Sequence, residues 1–261
     1  MIQGKKEEQK YLAGNLFEGM VSLKAVCECC GKEGGRSVKR VLFDEGKLPK
    51  KALDLALVRR LGEVHSFPVE VVRSEVIDSM TVGHTHGGIV AECTERELPP
   101  LTEKDIPQNG FFVMLDGVED PYNFGFALRS LYAAGVDGVI LPPRNWMSAA
   151  GVVCRSSAGA SERMPLYTAE ETHAVSLMKK RGYKIYCAEM KNSTGLYETT
   201  FARPMLLIIG GEKRGIKREV VASADVRVRI DYGRDFDGAL STVSAATVIA
   251  FEAMRQMRGK E

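Results

Sequence analysis

Residues 111–143 read FFVMLDGVEDPYNFGFALRSLYAAGVDGVILPP, and this stretch decides the fold. FFVMLDG is an apolar run of strand length, YNFGFALRSLYAAG reads as a helix that stops at Gly135, and DGVILPP is a second strand closed by two prolines. Toward the C-terminus the alternation continues. THAVSLMKKRG and KREVVASA read as helices, KIYCAEM, PMLLIIGG and VRVRI as strands, and STVSAATVIAFEAMRQMRG as a long terminal helix. Strands alternating with helices predict an α/β fold built on a mostly parallel sheet covered on both faces.

Toward the N-terminus, TERELPPLTEKDIPQNG (94–110) places three prolines and much charge between apolar segments, the composition of an inter-domain linker. The expected division is therefore 1–93, a linker over 94–109, and 110–261. In the first part Leu16, Met20, Leu23 and Cys27 fall at helical spacing up to about Cys30, with Gly31 as a stop. VKRVLFDEG, PVEVVRSE and GGIVAEC read as strands and KKALDLALVRRLGEV as a helix, so a second, smaller α/β unit is expected.

The chain has 261 residues, 44% of them hydrophobic, enough for two modest domains or one large one. Its formal net charge is +2, so any basic footprint for a nucleic acid must be local. The first residues lack the apolar stretch of an export signal, and no apolar run reaches the length of a membrane span. A cytoplasmic protein with its six cysteines as thiols, and no membrane partner, is the expectation.

In open α/β sheets ligands bind beyond the carboxyl ends of the strands. The loop after FFVMLDG carries Asp120, Pro121 and Asn123, with Arg129 further along the helix that follows. A helix N-terminus with a guanidinium nearby suits a phosphate, while the plainer reading makes Asn123 an N-cap and Arg129 a solvated charge. GGEKRG (210–215) follows an apolar strand; its paired glycines permit close approach to a ligand and serve a tight turn equally well. It lacks the order of a phosphate-binding P-loop. IDYGRDFDGALSTVSAATV is a polar loop feeding a helix of small residues.

Together these segments resemble the signature motifs of the SpoU (TrmH) family of RNA ribose 2′-O-methyltransferases, of the SPOUT class. Asp120, Pro121, Asn123, Gly125 and Arg129 match its first motif, and Gly210, Glu212 and Gly215 its second. Ser157–Ala160 is similar to its S-A-G-A segment. In the third motif Ala239-Leu240-Ser241-Thr242-Val243 stands where the family has S-L-N-V-S. HTHGGIVAEC (84–93) resembles a marker of the substrate-binding domain often fused in front, a ribosomal-protein-like α/β/α unit.

The resemblance implies a trefoil-knotted catalytic domain, a homodimer, and S-adenosylmethionine as methyl donor, held near Gly210, Ile230, Leu240 and Ser241. It implies a structured RNA as substrate, ribosomal ahead of transfer RNA. It assigns catalysis to Arg129 with Asn123 and Glu212. Arginine titrates too high to act easily as a base, so Arg129 is expected to hold the phosphate and stabilise the developing alkoxide, with Asn123 and Glu212 orienting the ribose. A catalytically silent RNA-binding protein of the same fold is the competing expectation.

No metal is expected: Cys27, Cys29 and Cys30 with His84 and His86 lack a zinc-ligand spacing. Cys154 and Cys187 read as buried thiols. Lys39, Arg40, Lys50, Lys51, Arg59 and Arg60 form a candidate phosphate-binding face or an ordinary solvated surface.

Overall fold

A computed structural model describes residues 15–32, 34–81, 86–143, 149–211 and 215–258. The chain divides into two compact units, 1–97 with 145–163 and 98–144 with 164–261. The first contains strand β1 (Leu16–Glu18), helix α1 (Gly19–Cys29), β2 (Val38–Asp44), α2 (Leu48–His65), β3 (Val69–Val72), α3 (Ser74–Met80) and β4 (Ile89–Cys93). Its sheet runs β1-β4-β2-β3, with β4 antiparallel to both neighbours and β2 parallel to β3. The predicted first helix starts later than expected because Leu16–Glu18 pairs with β4. Phe17, Leu23, Val26, Val41, Phe43 and Val58 fill the core between this sheet and its helices.

The second unit opens with β5 (Phe111–Asp116), α4 (Pro121–Ala133) and β6 (Gly138–Leu141). Next in the chain, α5 (Ala150–Ser156) and α6 (Ala160–Arg163) leave it and pack on the first unit, Ala150 and Cys154 joining that core. A buried ion pair ties them there, Arg36 Nε to Glu162 Oε2 at 3.2 Å, with Arg36 also donating to the Thr94 carbonyl at 2.7 Å. The second unit resumes with β7 (Leu166–Thr168), α7 (Glu171–Lys180), β8 (Lys184–Ala188), β9 (Thr194–Gly195), β10 (Met205–Gly210), α8 (Arg218–Ser223), β11 (Val226–Arg229) and α9 (Thr242–Met257).

Every pairing in its seven-stranded sheet, ordered β7-β6-β5-β10-β8-β11-β9, is parallel. β5 and β10 lie at the centre with covered faces, which is why FFVMLD and MLLIIG are apolar throughout. Burying each such Leu or Ile contributes roughly 1.5–3 kcal/mol. One face packs Phe112, Met114, Ile185, Leu206 and Ile208 with Ala174 and Met178 of α7 and Val220 of α8. On α9, Ile249, Ala250 and Ala253 are buried where that helix packs against α4 and β10.

The start of this sheet is fastened by side chains. The Phe111 N–H donates to Asp137 Oδ2 and the Ile185 N–H to Asp225 Oδ2, both at 2.7 Å. Arg203 holds Asp137 at 2.7 Å and the Asn109 carbonyl at 3.1 Å. The Tyr183 hydroxyl accepts from Gly110 N–H and donates to the Pro107 carbonyl. Burial pushes that phenol up, so it stays protonated.

The stretch read as a linker is held at both ends. Thr94 bonds to Ser37 and Arg36, while Pro99 and Leu101 exchange backbone hydrogen bonds with Thr168 on the edge strand β7, and Leu101 and Ile106 are buried. Proline at a sheet edge leaves no ladder donor unpaired. No helix among the described residues is long and apolar enough to cross a membrane.

Candidate functional site

The loops at the carboxyl ends of β5, β8, β10 and β11 make the site. Gly210 pairs in register with Asp116, so the loops after β5 and β10 leave the sheet side by side. A Cβ on Gly211 would lie 2.5 Å from the Gly117 carbonyl oxygen, and one on Gly210 would lie 2.5 Å from the Gly215 carbonyl carbon. Only glycine permits these close backbone contacts, Gly210 within its own tight turn and Gly211 against the loop after β5, so the glycine pair serves the turn and its packing. The loop doubles back as Gly215 N–H donates to the Gly211 carbonyl at 3.0 Å. Glu212 lies outside the described residues, as does His84.

α4 begins five residues after Asp116. Asp120 is its N-cap, accepting the Asn123 N–H at 2.8 Å, with Pro121 at the first helical position. This corrects the reading of Asn123 as the cap: Asp120 holds the extended backbone of the N-cap and its carboxylate accepts that N–H, while Asn123 is inside the first turn. Tyr122, Phe126 and Arg129 follow at i, i+4 and i+7, all exposed, so they share one face of the helix.

From the other side, the Thr242 hydroxyl at the start of α9 donates to the Gly210 carbonyl at 3.0 Å, joining the third loop to the second. The loops after β8, β10 and β11, with the start of α9, enclose a cavity of about 250 Å³. Gly210, Ile230 and Leu240 line it together with Ile209, Ile216 and Ile249, giving apolar walls edged by backbone polar groups. Ser241 is not among the lining residues: its hydroxyl accepts the Ser244 N–H at 3.2 Å and caps α9. Asn123 and Arg129 do not line it either.

Sequence reasoning missed Glu189 and Met190, which line the cavity from the loop after β8, and Tyr232 after β11. The strand-end rule applied to KIYCAEM points to the first two. Arg229 lines the same wall, donating to Asp231 Oδ1 at 2.7 Å and to the Ser193 carbonyl, so it braces the loops after β8 and β11 against each other. Lys217 donates to Glu171 at 2.9 Å, fastening the end of the glycine loop to α7. Burial pushes the Glu171 carboxyl up, but the Lys217 bond and backbone donation outweigh it and leave the group below its ordinary range.

Buried thiols supply no nucleophile. Burial pushes Cys187 up to about 12 and Cys154 up to about 12, far from thiolate formation at neutral pH. Cys27 and Cys29 are buried and Cys30 is partly exposed, and no group of three potential metal ligands occurs among the described residues. His86 is buried, its Nδ1 accepting from Gly88 N–H and its Nε2 3.5 Å from Asp78. Within the candidate basic face, Arg40 pairs with Glu92 and Glu70, and Lys51 with Asp54 and the Gly87 carbonyl, whereas Lys39, Lys50, Arg59 and Arg60 are exposed.

The SpoU rRNA methylase family model matches residues 110–250, and a model of the RNA 2′-O ribose methyltransferase substrate-binding domain matches 23–99. A 23S rRNA (guanosine-2′-O-)-methyltransferase of Xylella fastidiosa is 31% identical over 227 residues, 84% of this chain and 89% of that protein. The human mitochondrial rRNA methyltransferase 1 is 29% identical over 245 residues, 86% of this chain and 69% of that protein. An AdoMet-bound rRNA methyltransferase from Sinorhizobium meliloti superposes with a TM-score of 0.76 at 22% identity, covering 95% of this chain and 93% of that one, a likeness of fold. With its glycine loop, its capped helix carrying Arg129 and its terminal helix in these places, the chain belongs to the SpoU rRNA methylase family.

Proposed function

We infer that this protein transfers a methyl group from S-adenosylmethionine to a ribose 2′-hydroxyl of ribosomal RNA. The observation that carries the reading is the meeting of Gly210, at the end of β10, with Ile230 and Leu240, from the two ends of the β11–α9 loop, on one cavity beyond the strand ends. Its residues fit the cofactor: apolar walls suit a purine, and the backbone groups at its edge suit the polar atoms of a nucleoside. The cofactor supplies an activated methyl carbon when bound. Gly210, Ile230 and Leu240 would hold it, with Glu189 and Arg229 as charged groups at the wall. The chain of the catalytic domain is threaded into a trefoil knot.

The remaining work falls to this chain's own side chains. Arg129 binds the phosphate beside the target ribose and stabilises the developing negative charge on the oxygen, because a planar guanidinium donates two parallel hydrogen bonds. Asn123 and Glu212 orient the ribose. The front unit, matched over 23–99, grips structured RNA, with Lys39, Lys50, Arg59 and Arg60 as its exposed cations.

Arg129 stands off its own cavity on a face with Tyr122, Phe126 and Tyr132, all exposed, and the neighbouring α9 exposes Phe251. A monomer has little reason to expose such a stripe. A second copy seated there completes the site and makes the homodimer. Phe126→Glu is expected to convert a dimer to a monomer in sedimentation velocity, and a wild-type protein that sediments as a monomer would remove this part of the reading. The cytoplasm is the compartment we assign, on thiols that stay unpaired.

Mapping ribose 2′-O-methyl groups in total RNA from cells with and without the gene tests the function. One ribosomal position should lose its methyl group in the deletion and regain it with the wild-type gene but not with Arg129→Ala. Loss at a transfer RNA position instead would overturn the substrate, and no loss at any position would leave the silent RNA-binding alternative.

A further inference from the structure

The loop from Asp231 to Leu240 borders the cavity, and most of it is exposed. Such a loop pays conformational entropy to adopt one shape unless something closes it. The closure visible here is one side chain. Tyr232, from the start of the loop, accepts the Leu240 N–H from its end at 3.2 Å, and both residues line the cavity. Its ring packs against Phe236 with centroids 5.8 Å apart, and the chain passes so near that a Cβ on Gly238 would lie 2.3 Å from the Phe236 ring. Tyr232, Phe236, Gly238 and Leu240 thus form a small aromatic clasp at the cavity rim.

Each of the other polar side chains on the cavity has a partner within the protein. The Thr242 hydroxyl donates to Gly210, Arg229 is taken by Asp231 and Ser193, and the Glu189 carboxylate accepts the Lys191 N–H at 3.2 Å. Ser241 caps α9 and Ala239 has nothing to donate. The phenol differs. It is engaged as an acceptor, and its own proton has no acceptor among the described residues. A hydroxyl held in place by one bond and free to donate a second is a prepared contact for an acceptor atom of a ligand.

We propose that Tyr232 is a cofactor-positioning residue that clasps the 233–240 loop over the cavity and donates its phenol proton to an acceptor of the bound nucleoside. The inference rests on the cavity being the S-adenosylmethionine site. The test is calorimetric titration of S-adenosylhomocysteine into the full-length wild-type protein and into Tyr232→Phe and Tyr232→Leu. Removing the hydroxyl alone should weaken binding about five- to tenfold, the worth of one hydrogen bond. Removing the ring as well should weaken it further.

A merely structural role would not split the kinetics. Tyr232→Phe should raise KM for S-adenosylmethionine and leave KM for RNA unchanged, with a melting temperature near that of the wild type. In the ligand-free protein the Leu240 amide should exchange with deuterium faster in Tyr232→Phe. Wild-type affinity in Tyr232→Phe, or an unaltered Leu240 exchange rate, overturns the inference while leaving the cavity assignment standing. Failure of the wild-type protein to bind either ligand overturns the cavity assignment and this inference with it.

Discussion

The two ends of the parallel sheet are built on opposite principles. At its start, Asp137, Asp225, Arg203 and Tyr183 close off backbone N–H and carbonyl groups with side-chain bonds of 2.7–3.1 Å. At its finish, the loops carry glycines, expose backbone and leave a cavity of about 250 Å³. Satisfied polar groups at one end stabilise the sheet, and unfilled space at the other holds its chemistry. Substitutions at the two ends should therefore separate stability from activity.

The largest effect is expected at the open end. Arg129→Ala should lower the methylation rate about 10²–10³-fold with an unchanged melting temperature, as for loss of a charge-stabilising donor. Arg129→Lys should recover little, because an ammonium cannot reproduce the planar fork; near-normal turnover in that variant would show that a point charge suffices. At the closed end, Asp137→Ala strands the Phe111 N–H and frees Arg203, and should cost about 1–3 kcal/mol in denaturant unfolding. Its KM for S-adenosylmethionine should not move, and a rise would mean that the two ends are coupled.

Buried thiols give a pH-dependent check. Burial raises Cys27 to about 11 and Cys154 and Cys187 to about 12, above the ordinary 9.0. A group that holds its proton more tightly when folded contributes stability that is complete below the unfolded value and is lost as pH rises toward the folded one. Stability should thus fall from about pH 9 upward, by roughly 1.4 kcal/mol per thiol per pH unit. Cys27→Ala/Cys154→Ala/Cys187→Ala should flatten that slope. The smallest effect is Ser241→Ala, which removes the α9 cap and should cost about 1 kcal/mol with the cofactor KM unchanged.

How much of this was legible depends on length and distance along the chain. Central strands announced themselves because burial on both faces demands uninterrupted apolar residues, as in FFVMLD and MLLIIG. β1, β7 and β9 did not: two or three residues are too few to show a period, and Leu16 fits a helical pattern as readily as a strand. Nor could local patterning show that β10 inserts between β5 and β8, or that α5 and α6 pack on the first unit through an Arg36–Glu162 pair spanning 126 positions.

The site divides in the same way. Gly210, Ile230 and Leu240 are legible through a family resemblance, and nothing local in the sequence brings them onto one cavity. The resemblance points Ser241 toward the cofactor, but the structure gives its hydroxyl to the helix end, because a residue at an N-cap meets an unsatisfied N–H first. Glu189 and Met190 were within reach of the strand-end rule, whereas Tyr232 depends on a bond to a residue eight positions away in an irregular loop.

The central claim is that this cavity is where the methyl donor binds. Ala245 lines it from α9, a helical position where a larger side chain fills space without straining the backbone. Calorimetric titration of S-adenosylmethionine into the wild-type protein and Ala245→Phe tests the claim most directly. The account predicts saturable binding by the wild type and its loss in a variant that melts at the same temperature; equal affinity in both proteins would contradict it.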